Sequence, residues 1–418
     1  MQRFALTLLV CLLAFLAAAN WGSQQCARPN ETSISYRGDG RRLPTIYKDL
    51  VTCPKIESLD LDLGWSGCTP PSDPWLFNFR EGDRFPALQK LSLSGYDLAD
   101  RGRWPRYNRS WWSAFQDLAR EALGEVLPQW TLDALFKRES NLDRWLRAMD
   151  FTKLEELHLG NEQDLFYERM EHELPALKRL SLELRNTGAT MPEQQTDFLR
   201  EIPSLESLSI WIGAPWEYAA GDKNRTQFPL LEIIEHHCPT LRRLSLHQGE
   251  TNNPAQRRPM LSLDDLSLIR TSCPELNHLG LDLDRDESTG WPNATLNAML
   301  QFPNLTSLDI GLEIGADLHS ANEPGDYDWD HQGLNGPGPF REPRMSLEVS
   351  ETLFGDFRSN KQGMQLREVV FVVGDYTELS YMGPIYYPSW EDDRARIFIC
   401  ENNSTDEARD EHCEVIGD

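Results

Sequence analysis

Beyond residue 19 the sequence has no apolar run long enough to cross a bilayer, which argues against a helical membrane span there. It lacks basic excess: 41 Lys and Arg face 66 Asp and Glu, a formal charge of −25. A field of that sign repels phosphate backbones and anionic lipid, so nucleic acid is not expected as a partner. No CxxC pair and no Cys/His cluster stands at zinc-ligand spacing, so neither a metal nor a cofactor is expected. There is no Ser/Thr-Pro stalk, and the C-terminal "EHCEVIGD" is too polar for a lipid-anchor signal. Apolar residues are not scarce, at 40% hydrophobic and 10% aromatic, so a packed core is expected rather than disorder.

What is present begins with "MQRFALTLLVCLLAFLAAAN": one early cation, Arg3, then an apolar stretch ending in the small residues Ala17 and Ala19. That layout predicts a secretory signal over residues 1–19 and an extracellular, secreted protein. Seven N-x-S/T sequons follow, at Asn30, Asn108, Asn224, Asn293, Asn304, Asn402 and Asn403, the last two overlapping, and they fit a glycosylated surface. Of eight cysteines, Cys11 leaves with the signal and the others enter an oxidising compartment. Cys400 and Cys413 flank a short polar loop whose closure is worth about 3 kcal/mol in the chain-entropy model. Cys26 with Cys68 is a second expected staple, with Cys53 competing for either partner.

The body of the chain repeats itself. "CPKIESLDLDL" from Cys53 is followed by "FPALQKLSLSG", "FTKLEELHLGN", "LPALKRLSLEL", "IPSLESLSIWI", "CPTLRRLSLHQ", "CPELNHLGLDL", "FPNLTSLDIGL" and a degenerate "MQLREVVFVVG" from Met364. The unit is apolar-Pro-x-Leu-x-x-Leu-x-Leu. Leu-x-Leu has the period of a strand, so Leu244 and Leu246 face one side while Arg243 and Ser245 face the other. One unit cannot bury its own leucines, but a neighbouring copy does so, at roughly 1.5–3 kcal/mol per fully buried leucine. Between copies, "LLEIIEHH", "SLDDLSLIRTS" and "ATLNAMLQ" carry helical spacing. Strand, helix and return at intervals of about 28 to 36 residues predict an α/β solenoid with a parallel sheet on its inner curve and helices outside.

The repeated "CPxLxxLxL" resembles leucine-rich repeat proteins, in particular the cysteine-containing repeats common in F-box adaptors, over residues 45 to 375. The asparagine ladder and an F-box are missing, and an export signal does not fit a cytosolic ubiquitin-ligase role. The overall pattern is similar to the secreted leucine-rich repeat proteins of filamentous fungi, which implies an extracellular location and no defined activity. The expected division is a cap over 20–52, repeats over 53–375 with insertions near 96–150 and 313–363, and a C-terminal cap over 376–418. Cys53, Cys238 and Cys273 occupy the same slot of the repeat, where cysteine is expected as a small buried hydrophobe rather than as a Cys238–Cys273 bridge.

The alternation places Arg179, Ser209, Trp211, Arg243, His247, His278, Asp282 and Asp309 on the polar face as candidate binding residues. Trp211 stands out, because a large ring directed toward water stacks on sugars or anchors an interface. Two insertions draw notice. "RGRWPRYNRSWW" interleaves arginine with aromatics, and its bland reading is that the tryptophans pin the excursion to the array. Asp326, Asp328, Asp330 and His331 lie in a Gly/Pro-rich stretch that reads as a solvated acidic loop. With no visible pairing of nucleophile and base, the expectation is a non-enzymatic recognition protein for an extracellular protein or cell-wall glycan. A carbohydrate-active enzyme and a structural wall component are the rivals.

Overall fold

The structure, a computed structural model, describes residues 26–38, 40–63, 77, 79–96, 98, 140–160, 164–184, 191, 193–213, 228–249, 260–284, 290–313, 344–374, 396–402 and 411–416. The signal segment, the "RGRWPRYNRSWW" motif, Asp326, Asp328, Asp330, His331, Cys68, Asn108, Asn224 and Asn403 lie outside them.

Strands pair in chain order into a single mixed sheet that does not close on itself. They are β1 (Ser33–Gly38), β2 (Ser58–Leu63), β3 (Lys90–Ser94), β4 (Glu156–Leu159), β5 (Arg179–Leu184) and β6 (Ser207–Ile212). The sheet continues with β7 (Arg243–Gln248), β8 (His278–Asp282), β9 (Ser307–Leu312), β10 (Glu368–Val373), β11 (Arg396–Asn402) and β12 (Glu411–Ile416). Neighbours from β1 to β10 are parallel, and β10, β11 and β12 pair antiparallel.

A parallel pair needs a crossover, and at every parallel step but that from β2 to β3, where the described residues form no helix, helices supply it. They are α1 (Leu43–Thr52), α2 (Asn141–Ala148), α3 (Asp164–Met170), α4 (Glu193–Glu201), α5 (Leu230–His237), α6 (Leu263–Ser272), α7 (Asn293–Leu300) and α8 (Leu347–Asn360). Local sequence sets several starts. Ser140 with Asp143, and Ser262 with Asp265, form reciprocal capping boxes ahead of α2 and α6, satisfying amides that would otherwise lack partners.

The repeat unit explains how the layers join. The leucines of the Leu-x-Leu pairs are buried, from Leu59 and Leu61 on β2 to Leu308 and Ile310 on β9, and they form one apolar cluster with helical Trp145, Phe198, Ile233, Ile269 and Phe354. The return from helix to strand is of equal length at 53–57, 202–206, 238–242 and 273–277. Its earlier leucine, as at Leu205, Leu241 and Leu276, is buried at the turn. The two amides that open each strand donate to one carbonyl of the preceding copy: Arg242 and Arg243 to Glu206, at 2.8 and 3.1 Å, then Asn277 and His278 to Arg242, at 2.9 and 3.1 Å. That shared acceptor fixes the register of each copy on the last, and with it which residues become neighbours on the polar face.

Three disulfides are present among the described residues. Cys400 and Cys413 join opposite positions of β11 and β12 at a Cα separation of 4.0 Å. Cys26 is bonded to Cys53, not to Cys68: Cys53 closes α1 and lies where the segment before β1 passes, with the two Cα atoms 4.8 Å apart. Cys238 and Cys273 are also bonded, which corrects the expectation of free slot cysteines. In-register stacking puts equivalent slots of successive copies side by side, here with Cα atoms 4.4 Å apart, within disulfide reach.

Candidate recognition face

Because neighbouring strands pair residue for residue, the outward side chains form three rows across the sheet. The first runs through Lys90, Glu156, Arg179, Ser207, Arg243, His278 and Ser307. The second runs through Ser92, His158, Ser181, Ser209, Ser245, Gly280 and Asp309. In the third, Arg37, Asp62 and Ser94 pair across β1 to β3, Glu183, Trp211 and His247 across β5 to β7, and Asp282 with Gly311 across β8 and β9.

In the first row Lys90, Glu156 and Arg179 alternate in charge and pair across adjacent strands. Glu156 receives Lys90 Nζ at 3.2 Å and Arg179 Nε at 2.8 Å. Burial pushes its carboxyl up, but the hydrogen bonds from Lys90 and Arg179 outweigh that and hold it below its usual range. Arg37 Nε donates to Asp62 at 2.6 Å.

Each histidine on this face meets a carboxylate of the following strand. His158 Nε2 lies 3.5 Å from Glu183, while its Nδ1 lies 2.9 Å from Ser181 Oγ. His247 Nδ1 lies 3.0 Å from Asp282 Oδ1, and the other oxygen of Asp282 accepts the Gln248 amide at 2.5 Å. His278 Nε2 lies 3.2 Å from Asp309 and 3.3 Å from Ser245 Oγ, with Ser307 Oγ 3.0 Å from Nδ1. Burial, with the nearby Asp62 charge adding and His158 opposing, raises the Glu183 carboxyl above its ordinary value.

Of the candidate binding residues, Arg179, Ser209, Trp211, Arg243, His247 and Asp309 are partly or fully accessible, the Asp282 side chain is only 7% accessible, and β5 to β9 bring all seven together. His278 departs from expectation. It stands on the polar face, yet only 4% of its surface is accessible, because Arg243, Ser245, Ser307 and Asp309 close around it.

Glycines also shape the face, and residue chemistry alone overlooks them. A Cβ on Gly280 meets Ser245 Oγ at 2.7 Å and His247 Nε2 at 2.9 Å, and one on Gly311 collides with Asp282 Oδ1. The polar side chains of neighbouring strands therefore lean over bare backbone. Glycine inside a strand is the one signal in the sequence that marks such close approach.

Chemically the described part of the face offers hydroxyls, carboxylates, imidazoles, the cations of Lys90, Arg179 and Arg243 and the indole of Trp211, groups suited to hydrogen bonding, ion pairing and stacking. No group of three or more metal-ligating side chains converges among the described residues. No described helix is long and apolar enough to cross a membrane. The fold thus defines a mixed α/β protein with an open sheet, strands alternating with helices and one polar sheet face. The sequence matches no family model and no curated protein.

Proposed function

We propose that this is a secreted, glycosylated leucine-rich repeat protein that recognises an extracellular protein or glycan on the concave, polar face of its solenoid, and that it is not an enzyme. The observation that carries this reading is the in-register polar face over β2 to β9, whose side chains are held by cross-strand pairs while the leucines beneath it are buried. A rigid, pre-ordered array of donors and acceptors loses little side-chain entropy on binding. Three disulfides suit an oxidising compartment. The sequons also support it: Asn30 precedes β1, Asn293 opens α7, Asn304 lies in the return before β9 and Asn402 ends β11, so glycans at these positions leave the face clear.

The test expresses the chain with its own N-terminus in a secreting host. Export, an N-terminus near residue 20 and a mass drop on N-glycan removal are expected. The secreted protein is then probed on extracellular-protein and oligosaccharide arrays beside Arg179→Ala/Arg243→Ala. Retention in the cell, or the same array profile from both proteins, counts against the proposal.

A further inference from the structure

We infer that the ligand of this face is an uncharged, pyranose-based glycan seated on the indole of Trp211, with Glu183, Ser209 and His247 as its hydrogen-bonding rim. This rests on the recognition reading above and adds the class of ligand.

The geometry begins with Gly213. A Cβ at that position lies 3.1 Å from Cζ3 and 3.4 Å from Cη2 of Trp211, so the indole is folded down along its own strand over bare backbone. Trp211 is nevertheless partly exposed. An indole laid along a sheet and partly exposed offers a stacking surface, because the C–H face of a pyranose packs on an aromatic ring and its hydroxyls point outward. In register on either side stand Glu183 and His247, with side chains 38% and 24% accessible. Two strand steps of about 4.8 Å give a site about 10 Å wide, the scale of a short oligosaccharide rather than a single ring edge. Ser209, two residues before Trp211, adds a hydroxyl on the same face.

Charge decides what kind of ligand fits. Every carboxylate near the indole already faces a partner: Asp62 has Arg37, Glu183 has His158, Asp282 has His247 and Asp309 has His278. A cationic polymer would have to break these pairs to be held ionically, and the formal charge of −25 repels an anionic one, whereas a hydroxyl-rich neutral one adds hydrogen bonds to groups that keep their partners. An apolar protein side chain pressed here would desolvate the same groups and return no hydrogen bonds.

The experiment uses the intact secreted protein, residues 20–418. Cellohexaose, laminarihexaose, xylohexaose, mannohexaose and chitohexaose serve as uncharged probes, with a chitosan hexamer and oligogalacturonate as charged ones. Binding is read by titration calorimetry and by tryptophan fluorescence, with circular dichroism confirming that each variant is folded. Saturable binding of at least one uncharged hexamer is expected, little changed by high salt, about tenfold weaker in Trp211→Ala and largely recovered in Trp211→Phe. Failure of all uncharged probes, preference for a charged one, or equal affinity in folded Trp211→Ala overturns the inference. If the wild-type protein then still binds an extracellular protein and loses it in Arg179→Ala/Arg243→Ala, the recognition proposal stands and only the glycan assignment falls. If neither ligand class binds, both fall.

Discussion

The Nε2 atom of His278 on β8 lies 3.2 Å from Oδ2 of Asp309 on β9, and the imidazole is buried although it stands on the polar face. It gathers hydroxyls from both neighbouring strands, Ser245 at 3.3 Å and Ser307 at 3.0 Å. His278→Ala therefore strands several polar groups at once. A loss of about 1–3 kcal/mol in urea unfolding is expected. Lys90→Ala, which removes an exposed ion pair with Glu156, is expected to cost about 0–1 kcal/mol. Equal effects of the two substitutions would refute the distinction.

Gly311→Ala drives a methyl group into Asp282 Oδ1, displacing the carboxylate from His247. A destabilisation of about 1–3 kcal/mol is expected from the forced shift in a packed sheet. Thermal unfolding of the variant beside Asp282→Asn separates steric cost from loss of the charge pair: the glycine variant should lie at or below the asparagine one.

The disulfide pattern predicts a thiol count. Cys26, Cys53, Cys238, Cys273, Cys400 and Cys413 are all bonded, so Cys68 is the remaining cysteine once residues 1–19 are removed. Denaturing alkylation without reductant should label Cys68 alone, and peptide mapping should recover the linkages 26–53, 238–273 and 400–413. A linkage between Cys26 and Cys68 would show the N-terminal pairing to be wrong. Cys413→Ser should cost about 3 kcal/mol through the opened terminal loop.

Acid should weaken the fold through His237. This side chain is fully buried, with Nδ1 accepting the Leu205 amide at 3.3 Å. Burial, with a smaller contribution from neighbouring His236, pushes its pKa down from 6.5 to about 4. Between those two values the unfolded chain takes up a proton that the folded chain refuses, so stability falls as pH drops from 6.5 toward 4 and is restored on the way back. The loss is on the order of 3 kcal/mol across that window. His237→Leu should flatten the slope of the denaturation midpoint against pH over the same range, and an unchanged slope would assign the acid sensitivity elsewhere.

Much of this was legible in the chain. Leu244 and Leu246 fall on the buried side, and Arg243 and Ser245 on the open side, as the two-residue period requires. "SLDDLSLIRTS" reads as a capped helix and forms α6 behind Ser262. Cys400 and Cys413 are close in sequence, and a hairpin brings them together. The burial of His278 was not legible, because its neighbours Ser245 and Ser307 are separated from it by whole helices. The choice of Cys53 over Cys68 was not legible either, since both lie within reach of Cys26 along the chain.

By itself the sequence determined the period of each strand, the side each residue takes, the positions of α5, α6 and α7 and, beyond residue 19, the lack of basic excess and of a long apolar run. These follow from local sterics and from the need of each copy to hide its leucines. Only the tertiary structure decided the register: which carboxylate meets which imidazole, that two slot cysteines bond, and that Trp211 is folded over Gly213. Register is set by amides that share a carbonyl of the preceding copy, an interaction between residues some 30 positions apart, and no local pattern encodes it.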